Sequence, residues 1–209
     1  MTQEKPRTPV PQEVDRCRRS ILTAAVGTAL GAPFLGRIAS AATEAAKEPP
    51  QPGDVFVYAS GDRKGQTIAP DDLPMGGPQQ LAYPMDPKSE TVRDGSRLNQ
   101  VALVRLDPAE LSQDTSKNAA DGVVAYSAVC THQGCPISMW DSKRAALFCS
   151  CHASMFDPAN AAEVVGGPAP KRLAMLPLKS ENGVLMAAGE FIGGVGFKSA
   201  GGLKPGLRP

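Results

Sequence analysis

The sequence predicts an all-β fold that is rich in loops. Glycine and proline are both abundant, at 21 and 20 of 209 residues, whereas aromatic residues make up only 5%. No long helical period follows the first forty residues, so the composition favours a loop-rich β domain over a helical bundle. The length suits one domain with some residues left for targeting. The net charge of only +1 gives no basis for a nucleic-acid partner.

Residues 1–41 have the pattern of an export signal. Arg18-Arg19 precede a moderately apolar run from Ile21 to Leu35, as in a twin-arginine signal, and Ala39-Ser40-Ala41 offers small residues for cleavage. The run is shorter than the ~20 residues that a membrane span needs. We therefore expect a cleaved signal and a periplasmic protein. An uncleaved membrane tether through this segment is the alternative.

The first half of the domain should contain three strands. Residues 42–52, which include Glu48-Pro49-Pro50, have the composition of a linker, and residues 61–78 that of a loop. Asp107 to Leu111 predicts one helical turn with Asp107 as its cap, and Asp114 to Asp121 predicts a polar loop. The strands are predicted from β-branched and aromatic runs at Gly53–Tyr58, Val101–Leu106 and Gly122–Val129.

The second half should contain two hairpins. The first has strands at Ile137–Trp140 and Ala145–Phe148 around a polar turn. The second has closing strands at Leu173–Leu176 and Val184–Ala187, with Asn182-Gly183 as a strong turn signal. Residues 53–192 would thus form the domain, and residues 193–209 a tail rich in glycine and proline.

The only two histidines of the chain each lie within a cysteine cluster. Soft thiolates together with imidazoles suit a metal centre. A zinc site would use four of the six ligands and leave two thiols over, whereas a two-iron cluster could take two thiolates on one iron and two imidazoles on the other. The two boxes read Cys130-Thr131-His132-Gln133-Gly134-Cys135 and Cys149-Ser150-Cys151-His152.

The order Cys-x-His-x-x-Cys followed by Cys-x-Cys-His resembles the Rieske iron–sulfur family. The resemblance implies that Cys130 and Cys149 bind one iron of a 2Fe-2S cluster, while His132 and His152 bind the other. It also implies a disulfide between Cys135 and Cys151. The fold that it implies is an antiparallel β-sandwich base domain carrying a small cluster-binding subdomain at about 128–170.

Residues that follow the second box are expected to tune and cover the cluster. Higher-potential members of the family have glycine, serine and then tyrosine after the second histidine, where this chain has Ala153, Ser154 and Phe156. Ser154 keeps a hydrogen-bond donor for a bridging sulfide, but Phe156 lacks the tyrosine hydroxyl, so we expect a lower potential. Ala153 in place of glycine suggests a slightly different loop backbone. Gly167-Pro168-Ala169-Pro170 resembles the stiff loop that covers the cluster.

The histidine count excludes one functional class. A Rieske oxygenase needs a second, mononuclear iron, typically held by two histidines and a carboxylate, and both histidines are already used by the cluster. The chain is therefore expected to transfer electrons as a subunit of an oxidoreductase complex, without substrate chemistry of its own. Because iron–sulfur clusters are assembled in the cytosol, it would be exported folded, and the oxidising compartment outside would suit the disulfide.

Two electron-transfer roles and one structural role remain. The first is the small subunit of a periplasmic molybdopterin enzyme similar to arsenite oxidase, which the cleavable signal and Phe156 favour. The second is the Rieske subunit of a cytochrome bc complex, with quinol as donor, which the proline loop favours. In both, a c-type cytochrome is the expected acceptor. The third is a structural zinc-binding module, which would lack iron–sulfur absorption.

Overall fold

The computed structural model describes residues 43–197 and confirms the predicted all-β class. The described part of the chain forms two antiparallel sheets, one with seven strands and one with four. In chain order the strands are β1 Val55–Tyr58, β2 Gln80–Asp86, β3 Thr91–Val92, β4 Val101–Arg105, β5 Val123–Ser127, β6 Met139–Asp141, β7 Ala146–Cys149, β8 Ser154–Asp157, β9 Glu163–Gly166, β10 Leu178–Glu181 and β11 Val184–Ala187.

The larger sheet is the base of the molecule. Its strand order is β10-β11-β1-β2-β4-β5, with the short β3 added to β2. The sheet curls, so that β10 at one edge approaches β5 at the other. One core, which includes Phe56, Leu103, Ala125 and Leu185, fills the space inside the curl.

The smaller sheet is a simple meander of β6, β7, β8 and β9. Its Leu147 and Phe156 pack with Val104, Val124 and Tyr126 of the base in a second buried core. Strands β4 and β5 therefore have both faces buried, which explains why their sequences are continuous apolar runs instead of alternating ones.

Helical structure is limited to short pieces in the described residues. Residues 43–47 form the first helix, α1, and Gln113–Ser116 form the second, α2. The Asp107 side chain accepts a hydrogen bond from Ala109 N at 2.9 Å and begins the predicted turn. Single 3-10 turns lie at Pro70–Asp72, Arg97–Asn99 and Pro108–Glu110.

The prediction of a polar loop over 114–121 is wrong at its beginning. Residues of α2 occupy this position, because the Ser112 hydroxyl accepts a hydrogen bond from Thr115 N and caps the helix. A serine directly before a polar segment can cap a helix, a signal that the polar composition obscured.

The prediction of a strand at Leu173–Leu176 is also wrong. The partner of β11 is β10, and the two are joined by Asn182 and Gly183, both with positive φ as a tight hairpin turn requires. The segment 173–176 instead runs along the edge of β5, where Ser127 N donates to Ala174 O and Leu176 N donates to Ala125 O. All four of its residues are buried, so an apolar run without alternation was mistaken for a strand.

Residues 42–52, predicted to be a linker, are held on the base over the part that the structure describes. Gly95 N donates to Ala46 O at 3.0 Å, and the Asn99 side chain donates to Glu48 O at 2.6 Å. The predicted signal 1–41 and most of the predicted tail 193–209 lie outside the described residues. Among the described residues, no helix has the length and apolar character that crossing a membrane requires.

A buried ion pair holds this N-terminal segment in place. Arg93 and Asp54 are 6% and 2% exposed, and the guanidinium donates to both carboxylate oxygens, at 2.6 and 3.1 Å. The same guanidinium also donates to Ala45 O and to the carboxylate of Glu48. Asp54 in turn accepts a hydrogen bond from Gln51 N.

We expect Arg93→Leu to lower the free energy of unfolding by about 3–5 kcal/mol, because it leaves a buried carboxylate without its partner. Urea denaturation followed by circular dichroism measures this. Lys179→Ala is the control, since it breaks an exposed pair with Glu181, worth less than about 1 kcal/mol. Equal effects of the two substitutions would contradict the role of Arg93.

Candidate metal centre

The first box follows directly from strand β5 of the base. Ala128 N donates to Gln100 O, and Ile137 N donates back to Ala128 O, which fixes both ends of the loop. Within the loop, Cys130 N donates to Cys135 O at 2.8 Å and Gly134 N donates to Cys130 O at 2.9 Å. Gly134 has a φ of 73°, a conformation that glycine adopts readily.

The second box lies in the turn between β7 and β8. Cys149 is the last residue of β7 and pairs with Ser154, the first residue of β8. Cys151, His152 and Ala153 are exposed on this turn. Ala153 has a φ of 57°, so the loop keeps a left-handed backbone, usually favoured by glycine, although the residue is alanine.

The predicted disulfide between Cys135 and Cys151 is confirmed. Their Cα atoms are 6.6 Å apart, and the bond joins the two loops. The sulfur of Cys149 lies within 4.8 Å of both disulfide sulfurs. Cys130 and Cys149 are free and buried, so two thiols remain available beside the crosslink.

The two histidine rings lie close together. Their centroids are 4.6 Å apart and the rings are perpendicular. His152 is exposed and His132 is half-buried. One edge of the site therefore carries imidazole and faces solvent, while the buried side carries thiols.

The residues present fit the two-iron cluster that the family resemblance implies. Burial raises the pKa of the Cys130 thiol, and the neighbouring Cys149 thiol raises it further. A bound cation is what stabilises thiolates in such a place. His132 Nδ1 is buried and has no hydrogen-bond partner among the described residues, which is rare for a buried polar atom unless it binds a ligand or metal.

Ser154 and Phe156, the two predicted tuning residues, are both fully buried next to the second box. The Ser154 hydroxyl also has no hydrogen-bond partner among the described residues. Phe156 belongs to the buried core that contains Cys130 and Cys149. A buried hydroxyl that has no acceptor within the described part of the protein is available to donate a hydrogen bond to a bound group.

The predicted proline loop, Gly167-Pro168-Ala169-Pro170, lies against the second box. Gly167 has a φ of 78°, and a Cβ at this position would lie 2.5 Å from Ser154 Cα and 2.7 Å from the carbonyl carbon of Ala153. Ala169 is buried in the core that contains Cys130 and Cys149. The loop thus packs on Ala153 and Ser154, directly after the second box, at a distance that only glycine permits.

Three supporting contacts were not predicted from the sequence. The Tyr126 hydroxyl donates to Pro158 O at 2.8 Å, and burial strongly raises the pKa of this phenol. The Thr131 hydroxyl donates to Lys171 O at 2.5 Å, and Arg97 Nη1 donates to Gly134 O at 2.6 Å. No local motif marks Arg97, because its partner lies 37 residues further along the chain.

Comparisons with known proteins identify the family to which the sequence is similar. Residues 85–177 match the Rieske (2Fe-2S) domain family. The cytochrome bc1 complex Rieske iron-sulfur subunits of Streptomyces lividans and Mycobacterium tuberculosis are 33% and 30% identical, over 60% and 62% of this chain. A putative respiratory nitrate reductase subunit Rieske from Haloferax mediterranei is 47% identical over 36% of the chain.

The matches cover different shares of these relatives. The matched region spans 76% of the S. lividans protein, but only 34% of the M. tuberculosis and H. mediterranei proteins. Among solved structures, the soluble domain of Rieske protein II from Sulfolobus acidocaldarius is 24% identical. It aligns over 46% of this chain and 66% of its own, with a TM-score of 0.34. A hyperthermophilic respiratory Complex III chain is also 24% identical, over 57% of this chain and 71% of its own, with a TM-score of 0.38.

We expect Gly167→Ala to destabilise the protein by about 2–4 kcal/mol, since it adds a backbone clash to left-handed strain. Gly183→Ala is the matched control: its φ is 77°, but nothing lies within 4 Å of the added Cβ, so strain alone should cost about 1 kcal/mol. Urea midpoints of the two variants measure the difference. Equal midpoints would show that the proline loop does not press on the second box.

Proposed function

This chain belongs to the Rieske iron–sulfur family, and on that premise we propose that it carries single electrons as a subunit of a respiratory complex. The observation that carries the proposal is the pair of histidine rings, 4.6 Å apart, facing solvent beside two buried thiols. When bound, a two-iron cluster with two imidazole ligands supplies one-electron chemistry at a potential of about −150 to +300 mV.

The ligand roles come from the family resemblance, and the burial of the side chains supports them. Cys130 and Cys149, both buried and free, are assigned to one iron. His132 is assigned to the other through Nδ1, which is buried and has no other partner in the described chain. His152 completes that iron's ligands, and its exposed edge is where a redox partner would make contact.

The surrounding residues keep this arrangement fixed and dry. The Cys135–Cys151 disulfide holds the two loops together, and Thr131 ties the first box to the residue that follows the proline loop. Ala169 is buried in the same core as Cys130 and Cys149 and helps to keep water from the thiol side. A rigid, dry site needs little rearrangement when an electron arrives or leaves.

A cytochrome bc1 complex is the first candidate for the partner. Support comes from the names of the S. lividans and M. tuberculosis relatives. In this role a quinol would be the electron donor, and a c-type cytochrome would be the acceptor.

A periplasmic molybdopterin oxidoreductase similar to arsenite oxidase is the second candidate. It is supported by Phe156 and by the relative whose name assigns it to a respiratory nitrate reductase. In this role the large catalytic subunit would be the donor and a cytochrome the acceptor.

Isolation of the full complex through an affinity tag on this chain separates the two candidates. Haem b absorbance in the purified complex would support the bc1 role, whereas molybdenum without haem b would support the second. A purified chain with neither iron nor the electron paramagnetic resonance signal of a Rieske cluster would overturn the electron-transfer function itself.

We further propose that the protein is exported folded to the periplasm by the twin-arginine route. Arg18-Arg19 and the small residues of Ala39-Ser40-Ala41 support this proposal. Sequencing of the mature N-terminus tests it. A mature chain that begins just after Ala41 would support a cleaved signal, and an intact N-terminus would support the membrane tether.

We expect Ser154→Ala to lower the reduction potential by roughly 20–65 mV. This corresponds to the loss of one hydrogen bond of about 0.5–1.5 kcal/mol to the reduced, more negative cluster. Redox titration followed by electron paramagnetic resonance measures it, with Ser180→Ala in β10 as the control. An unchanged potential in a fully loaded variant would contradict the role of Ser154.

We expect Phe156→Tyr to raise the potential by a similar amount, because the added hydroxyl can donate to a ligand thiolate. The same titration measures it. Since Phe156 is fully buried, iron content and the urea midpoint should be measured alongside. A variant that keeps its cluster and shows no rise would contradict the interpretation of Phe156.

A further inference from the structure

The 3-10 turn at Arg97–Asn99 touches the first cluster loop. Arg97 Nη1 donates to Gly134 O at 2.6 Å, and Gly134 lies between His132 and Cys135. A Cβ on Gly134 would be 3.2 Å from Arg97 Nη2, so the guanidinium lies directly on the loop backbone. The next residue after the turn, Gln100, accepts a hydrogen bond from Ala128 N, two residues before Cys130. The turn therefore holds the loop at two points.

The other end of the same turn holds the N-terminal segment. Asn99 is 4% exposed, and its amide donates to Glu48 O at 2.6 Å and to Arg93 O at 3.0 Å. Arg93 in turn donates to Ala45 O and to the carboxylate of Glu48. If residues 45–48 left the base, these buried donors would lose their partners, at a cost of about 1–3 kcal/mol for each group.

We propose that this turn couples residues 45–48 to the first cluster loop, and that Arg97 is a positioning residue that also raises the reduction potential. The inference rests on the proposed electron-transfer function, because it concerns the potential of the same cluster. It assigns to the segment downstream of the export signal a role in supporting the site.

The positive charge of Arg97 should raise the reduction potential of the cluster. In the described part of the chain Arg97 forms no ion pair, in contrast to Arg63, Arg93, Arg105 and Arg144. An uncompensated positive charge beside the cluster loop stabilises the reduced state, which carries one more negative charge. Because Arg97 is exposed, salt should screen part of this effect. The hydrogen bond to Gly134 O is local and should not depend on salt.

Two substitutions of Arg97 separate charge from position in the full-length protein. Arg97→Gln removes the charge and shortens the side chain, so we expect a lower midpoint potential. The shift should be smaller at high salt but should not disappear. The g values in electron paramagnetic resonance should also change. Arg97→Lys keeps the charge without the planar guanidinium, so we expect altered g values with most of the potential retained.

Arg144→Gln is the matched control. Arg144 is also exposed, but it pairs with Asp141 in the turn between β6 and β7. We expect its potential and g values to equal those of the unmodified protein. Arg97→Gln behaving like Arg144→Gln would overturn the role of Arg97.

The coupling is tested by a double-variant cycle. Asn99→Ser keeps a hydrogen-bond donor on a shorter side chain, so we expect it to lower the potential. In the double variant this shift should not add to that of Arg97→Gln. Additive shifts would overturn the coupling. If Asn99→Ser does not fold, hydrogen exchange gives the answer: Arg97→Gln should speed exchange at the amides of residues 45–48, and unchanged exchange would overturn the coupling.

The same measurements distinguish this inference from the proposed function. An unmodified protein without a Rieske signal would overturn both. A normal signal in the unmodified protein, with a potential that is insensitive to Arg97→Gln, would overturn this inference alone.

Discussion

The site depends on two loops from different sheets being held face to face. The first loop follows β5 of the base and the second joins β7 to β8, so the four candidate ligands meet only if the two sheets are fixed against each other. The Cys135–Cys151 disulfide makes this connection at the loops. The Tyr126 hydroxyl also connects the two sheets, because it donates a buried hydrogen bond from the base to Pro158 O, just after β8. Without these links the thiols and imidazoles would be two half-sites.

The packing of the base explains how the loops gain their rigidity. Strands β4 and β5 bury one face in the curled base and the other against the smaller sheet. The strand that leads to Cys130 is therefore confined from both sides before the loop begins. The segment 173–176 adds backbone hydrogen bonds along the free edge of β5. An edge strand covered in this way cannot slip, so the position of Cys130 is set by the core as well as by the crosslink.

The site was more predictable from the sequence than the fold around it, for a physical reason. Each metal-binding loop is local, so the types and spacings of its residues carry the chemistry directly, and the disulfide was confirmed. The strand predicted at Leu173–Leu176 was wrong because a short apolar run marks burial and does not by itself distinguish a strand from other buried backbone. Residues 42–52 resembled a linker in composition, but their order comes from Arg93 and Asn99, distant residues whose buried donors need these carbonyls. Long-range hydrogen bonds of this kind leave no local pattern.

The attachment of residues 45–48 also limits how the domain can move relative to a partner. In the proposed cytochrome bc1 role the domain would reorient between donor and acceptor, and residues 42–52 have the composition of a flexible linker. In the structure these residues share buried hydrogen bonds with Arg93 and Asn99. Freeing them would leave several buried donors unpaired and would remove support from the turn that holds Gly134. That separation would cost about 1–3 kcal/mol for each buried group left without a partner. We therefore expect residues 45–48 to move together with the domain if it reorients.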